Sequence, residues 1–243
     1  MRMLNFAKRN FKELTRDPLS IIFEIALPLF LLFIFQQFNI PSESFKLENF
    51  TPGIILFGFS FITLFSANLV AKDRESSFLI RLGTSPMKSK DYILGYVVSL
   101  LPIVLLQVVL FFIVAILLGL KVSIFIIPAI IVSLIVSILF ISLGILVGSL
   151  VSEKASGGCG SVIVQLVCFT SGMYFSSEMV GKVFAFICKI LPFEGALNII
   201  KGVLNNDLSI ISLSNIIAFI IYTSVVIILS TVVFKKKMVS DNK

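Results

Sequence analysis

The sequence predicts an all-α integral membrane protein with six transmembrane helices. The first observation is six windows without Asp, Glu, Lys or Arg, each eighteen residues or longer: 25–42, 49–71, 92–120, 122–152, 155–177 and 208–234. A bilayer core about 30 Å thick needs roughly 20 apolar residues at 1.5 Å rise each. The second is composition. Of 243 residues, 58% are hydrophobic and mean hydropathy is +1.09, which leaves no chain for a water-soluble core. The third is charge placement. With a cytoplasmic N-terminus and six crossings, fifteen Lys and Arg fall inside and five outside. That bias puts both termini in the cytoplasm. It also explains the formal charge of +7 by topology and anionic lipid, so nucleic acid is not an expected partner.

Two units are expected: an amphipathic interfacial helix over 1–17 and one six-span domain over 18–243. At 100° per residue Met3, Leu4, Ala7, Phe11 and Leu14 share one face of the first unit. Arg2, Lys8, Arg9, Lys12 and Arg16 share the other, which faces headgroups. Pro18 marks a bend. The first span, 19–38, contains Glu24 and Pro28. A polar outer loop, 39–51, leads to the second span, 52–71. The longest inner connection is 72–91. The third span starts at Tyr92 and the fourth ends near Val151, joined outside around 119–123. Pro102 and Pro128 are expected to kink them. Gly144 and Gly148 form a G-x-x-x-G that permits close helix contact. A glycine-rich hinge, 156–160, opens the fifth span, which ends near Tyr174. The sixth covers 213–234 and closes on Lys235, Lys236 and Lys237. Residues 183–193, broken by Pro192, reach only about 16 Å as helix, too short to cross. They read as an outer re-entrant segment with Phe184, Phe186, Pro192 and Phe193, continued by an amphipathic stretch over 194–204. The first apolar run lacks an A-x-A site, so a cleaved signal peptide is not expected.

Several chemistries are excluded. The chain has no histidine, which removes the usual general base and the commonest metal ligand. Cys159, Cys168 and Cys188 lack C-x-x-C spacing and read as packing residues. No G-x-x-x-x-G-K-[ST] occurs, so no P-loop is present. Asp73 and Glu75 read as solvated loop charges rather than a catalytic pair. Neither an enzymatic role nor a metal is expected. Glu24 is the one ionisable residue within a predicted span and so a candidate functional acid. About 7.5 Å of helix separates it from Leu19, and the favoured reading is that it reaches headgroups or pairs with a basic residue of the first helix.

Three segments in order carry a family resemblance. They are F-K-E-L-T-R-D-P at 11–18 with Pro28 beyond it; K-D-R-E-S-S-F-L-I-R-L-G-T-S-P-M-K at 72–88 with Tyr92 and Gly95 after it; and S-G-M-Y-F at 171–175, followed by an apolar segment ending Leu191, Pro192, Phe193. Together they resemble the membrane subunit of type-two ATP-binding-cassette (ABC) exporters, over essentially the whole chain. Where that family often places a proline after the Ser-Gly segment, Ser176 and Ser177 stand here.

The resemblance implies two such permeases, identical or homologous, seated in the bilayer lipid on two copies of a separate ABC ATPase. That partner would bind ATP and Mg; this chain would bind no cofactor. Glu75, Phe78, Leu79, Ile80, Arg81, Leu82 and Pro86 are the expected ATPase-coupling residues. An apolar run in an inner loop fits a short helix inserted into a partner groove. Glu24, Pro28, Ser171 and Gly172 are candidates for the pathway or the permease interface. The expected function is ATP-driven export of a hydrophobic or amphipathic substrate, such as a drug, antimicrobial peptide or lipid-like molecule, across a bacterial cell membrane. Export of a lipid-linked polysaccharide or wall polymer is the alternative within that class. A self-contained channel or secondary carrier is the alternative outside it.

Overall fold

A computed structural model describes residues 2–38, 40–76, 89–174 and 181–240. The described residues form α-helices joined by turns and loops, with one short 3-10 turn at Glu43–Phe45. The helices are α1 (Arg2–Leu14), α2 (Pro18–Gln37), α3 (Leu47–Glu75), α4 (Ser89–Leu117), α5 (Ile126–Leu150), α6 (Glu153–Thr170), α7 (Lys182–Ile190), α8 (Pro192–Leu204) and α9 (Leu213–Ser240).

Among the described residues four helices are long and apolar enough to cross a bilayer: α3, α4, α5 and α9 over Leu213–Lys237. The pair α7 and α8 qualifies only if taken together across a 72° bend. The α2 helix is shorter, 20 residues with Glu24 as its one charge. The α6 helix carries Glu153 and Lys154 in its first turn and Gly157, Gly158 and Gly160 soon after. Among the described residues, length and composition alone therefore support four of the six expected spans, with the bent pair a fifth candidate.

The core is α3. Of its apolar window 78% is buried, against 17% for α9, so α3 is the axis and α9 a peripheral helix. The α2, α4, α5, α6 and α8 helices all pack on α3. Lipid tails are as apolar as Leu, so burial alone gives little drive between membrane helices; close packing and hydrogen bonds do. The α3–α5 seam has both. A Cβ added to Gly144 would overlap the Thr63 carbonyl oxygen, and one at Gly148 the Ala67 carbonyl oxygen. Thr63 Oγ1 donates to the Phe140 carbonyl (2.9 Å) and Ser66 Oγ to the Ile141 carbonyl (3.1 Å). The expected glycine hinge at 156–160 is a regular part of α6, packed on α3 at Ser156 and Gly160 and open at Gly157 and Gly158. Ser156 Oγ donates to Asn68 Oδ1 at 2.6 Å, and a Cβ on Gly160 would strike Leu64. The absent side chain serves close approach there, not bending.

Helix ends follow local chemistry. The α4 helix stops in a Schellman motif: Leu120 N–H bonds the Ala115 carbonyl (2.9 Å) and Gly119 N–H that of Ile116 (3.0 Å). Gly119 takes φ +115°, which glycine adopts freely. Asn206, φ 51°, closes α8 the same way, with Asp207 N–H on Gly202 and its own on Val203. In the following loop the Ser209 hydroxyl (2.5 Å) and N–H (3.0 Å) donate to Asp207, holding its carboxyl below the usual range. Pro128 sits in the first turn of α5, where the missing N–H is an orphan anyway, so it need not kink the helix.

Candidate functional site

The most connected polar site is at the end of the bundle that carries α1. The last turn of α3 supplies Lys72, Asp73, Arg74 and Glu75 in succession, and each reaches a different neighbour. Asp73 is buried at 1% exposure. It accepts from Arg9 Nη1 of α1 (2.7 Å) and from Tyr96 Oη of α4 (2.9 Å). Lys72 Nζ pairs with Glu13 of α1 at 3.1 Å, and Glu13 also holds Arg9 at 2.5 Å. Arg74 Nη1 donates to the Gly148 (2.9 Å) and Val151 (3.2 Å) carbonyls at the end of α5, a favoured place for a cation. Glu75 Oε1 accepts from Glu153 N–H (2.9 Å) at the start of α6, a favoured place for an anion. Thus one turn ties α3 to α1, α4, α5 and α6.

Aromatic packing fixes the same end. Phe6 of α1 stands edge-on to Tyr92 (5.4 Å) and Tyr96 (5.0 Å). Gly95 makes the socket, since a Cβ there would overlap the Phe6 ring. The buried face of α1 is Phe6, Ala7, Asn10 and Leu14, whereas Leu4 (57%) and Phe11 (37%) are exposed. The predicted face is therefore rotated. The helix docks on α4 as well as presenting apolar residues outward, and Arg9 is held by acids rather than left for headgroups. Asp73, read as a solvated loop charge, is instead the buried centre of this hub. A cavity of about 380 Å³ opens beside it between α1, α3 and α6, edged by Glu13, Asp17, Asn68, Lys72, Glu153 and Lys154. Among the described residues no group of His, Cys, Asp and Glu could hold a metal.

Of the predicted coupling residues, Glu75 lies in the hub, bonded to α6. Phe78, Leu79, Ile80, Arg81, Leu82 and Pro86 lie outside the described residues. Their segment leaves from the clamped end of α3 and returns at α4.

Glu24 does not reach the surface. It is 3% exposed and neither carboxyl oxygen has a hydrogen-bond partner. Its neighbour Gln107 is about 27 Å along α4 from Ser89, so Glu24 lies deep in the bundle. Distance along its own helix misled, because α2 turns Glu24 toward α3 and α4, where Gln107 covers it. Pro28 is buried on the same face of α2. Ser171 (2% exposed) and Gly172 (φ 79°) follow the end of α6 at the opposite end of the bundle. There Tyr174 meets Phe35 (5.6 Å) and Phe50 (6.3 Å).

The break expected near Pro192 is present, with Pro192 opening α8 after the bend. The segment's aromatic residues differ. Phe193 is core, its ring 5.8 Å from Phe140, while Phe186 is 65% exposed and Phe184 is half-buried. Phe193→Ala is expected to destabilise the protein by about 3 kcal/mol or more, and Phe186→Ala by almost nothing. Thermal unfolding in detergent checks this; equal midpoints for the two would contradict it.

Sequence reasoning missed Phe6, Asn10, Tyr96 and Gln107. The Gly95–Tyr96 pair was the available signal for the first contact.

No curated protein matches this chain. The family model of the ABC-2 type transporter matches residues 3–205, a stretch that takes in every residue of the hub. The chain belongs to the ABC-2 type transporter family and is a membrane component of such a transporter.

Proposed function

We propose that this chain is the permease half of an ATP-driven exporter of hydrophobic or amphipathic molecules in a bacterial cell membrane. Two permeases, identical or homologous, pair above two ATPase subunits that bind ATP and Mg. Both termini and the 77–88 segment lie on the cytoplasmic side, where fifteen of twenty basic residues would fall.

The observation that carries this reading is the clamped end of α3. The expected coupling residues begin immediately after it. A segment hung between freely moving helices would lose a push from the ATPase in local bending. Here the push meets a turn bonded to α1, α4, α5 and α6, and so moves a block of helices. The exposed faces of α2 (Phe23, Phe30, Phe33) and α6 (Val162, Leu166, Phe169) suit apolar cargo and a second permease better than polar cargo. Glu24 and Pro28 stand behind the α2 face, and Ser171 and Gly172 at the far end of α6.

Co-purification with the cognate ABC ATPase tests the reading. Burying an apolar side chain is worth roughly 1.5–3 kcal/mol, so Phe78→Asp is expected to weaken the complex at least tenfold and to uncouple ATP hydrolysis, while membrane insertion is unchanged. Unchanged binding and turnover would remove 77–88 as the coupling element.

A further inference from the structure

The mid-bundle pair Glu24 and Gln107 plays no part in the hub, yet among the described residues it leaves three buried oxygens unpartnered. Gln107 is fully buried (0%). Pro28 stands four residues after Glu24 and has no N–H, so the Glu24 carbonyl loses its helical donor. Gln107 Nε2 takes that place at 3.5 Å. Gly58 of α3 leaves the room, since a Cβ there would lie 2.5 Å from Gln107 Nε2. Once that bond is made, three buried oxygens remain without any donor: both carboxyl oxygens of Glu24 and Oε1 of Gln107.

No charge from the packed helices offsets the acid. On α3 the charged residues are Glu48 at one end and Lys72, Asp73, Arg74 and Glu75 at the other. On α4 they are Lys90 and Asp91, with Tyr92 and Tyr96 at the same end. On α2 Glu24 stands alone, with Asp17 just before the helix. A carboxylate in such a place is unpaired as well as desolvated. One proton resolves the imbalance. Glu24 then carries no charge and gains an O–H donor, beside an amide whose Oε1 is itself buried without a donor. Both carboxyl oxygens are sealed from solvent, which favours a proton over a hydrated cation or an amine.

We propose that Glu24 is a proton-binding latch: it holds a proton while α2 lies against α3 and α4, and releases it to water when α2 parts from them. The latch is a property of the permease alone and does not depend on the ATPase or the cargo. Alkaline conditions then favour the parted arrangement, because the proton bound in the packed state is lost on opening. Stability of the packed bundle is greatest at low pH and falls as pH rises.

The test is infrared spectroscopy of the full-length protein in lipid nanodiscs. At neutral pH the wild type is expected to show a protonated-carboxyl C=O band that exchanges slowly in D2O. Glu24→Gln, which keeps the shape, is expected to lack that band. Gln107→Leu is expected to shift it toward the free-acid position. The wild-type melting midpoint should fall from mildly acidic to alkaline pH, and Glu24→Gln should flatten that fall. A wild type with no slow-exchanging carboxyl band at neutral pH overturns the proposal, even if neither variant folds. So does a band that survives Glu24→Gln.

Discussion

Gly148→Val and Gly144→Val are expected to abolish the folded bundle. Each inserts a branched side chain where a Cβ alone would already overlap an α3 carbonyl oxygen. Backbone cannot rotate away as a side-chain tip can, so α5 must move off α3. That also stretches the Thr63 and Ser66 hydrogen bonds to α5. Overpacking typically costs about 1–3 kcal/mol and each hydrogen bond about 0.5–1.5, so each variant is expected to lose roughly 2–6 kcal/mol. That is a large share of the marginal stability of a domain. Gly157→Val is the control, because nothing lies within 4 Å of a Cβ there. Size-exclusion profiles of detergent-solubilised protein should show a monodisperse peak for Gly157→Val and none for the seam variants. A normal peak for Gly148→Val would mean that α3 and α5 are not in close contact.

Arg9→Ala is expected to release α1 from the bundle. It leaves Asp73 buried with only the Tyr96 hydroxyl among its side-chain partners. Stripping one partner from a buried pair costs about 3–5 kcal/mol, and the lower figure applies because the Arg9 side chain is 35% exposed. If most of that loss falls on docking, α1 opens on the order of a hundredfold more often. Trypsin cleavage after Lys8 and Lys12 reads the change directly. The double variant Arg9→Ala/Asp73→Ala should recover much of the protection, since the orphaned acid is gone. Equal cleavage of wild type and Arg9→Ala would show that the Phe6 contacts and the Lys72–Glu13 pair hold α1 without the Arg9–Asp73 bond.

These outcomes depend on contacts of unequal legibility. The apolar windows announced α3, α4, α5 and α9, because a long uncharged stretch has few alternatives in a membrane protein. The close α3–α5 seam was visible as G-x-x-x-G, and the break before α8 as Pro192. The hub was not visible. Asp73 lies in a charged run next to a loop, and composition alone cannot tell a solvated acid from one covered by a helix sixty-four residues earlier in the chain. The face of α1 was misjudged for a similar reason. A helical wheel ranks apolar residues, but Gly95 and the two tyrosines of α4 chose Phe6 and left Leu4 outside. Glu24 was misplaced because distance along a helix says nothing about which face it lies on, and this face is covered by α3 and α4.

The Arg9–Asp73 bond also sets a timetable for biogenesis. Arg9 leaves the ribosome sixty-four residues before its partner, an interval of about 3–13 s at about 5–20 residues per second. Throughout that wait α1 has no protein surface to dock on. Glu13 can pair with Arg9 within α1, and anionic headgroups can take the place that Asp73 later fills. When α3 and then α4 arrive, Asp73 and Tyr96 displace the lipid. A membrane depleted of anionic lipid would thus slow maturation of the N-terminus without weakening the finished protein.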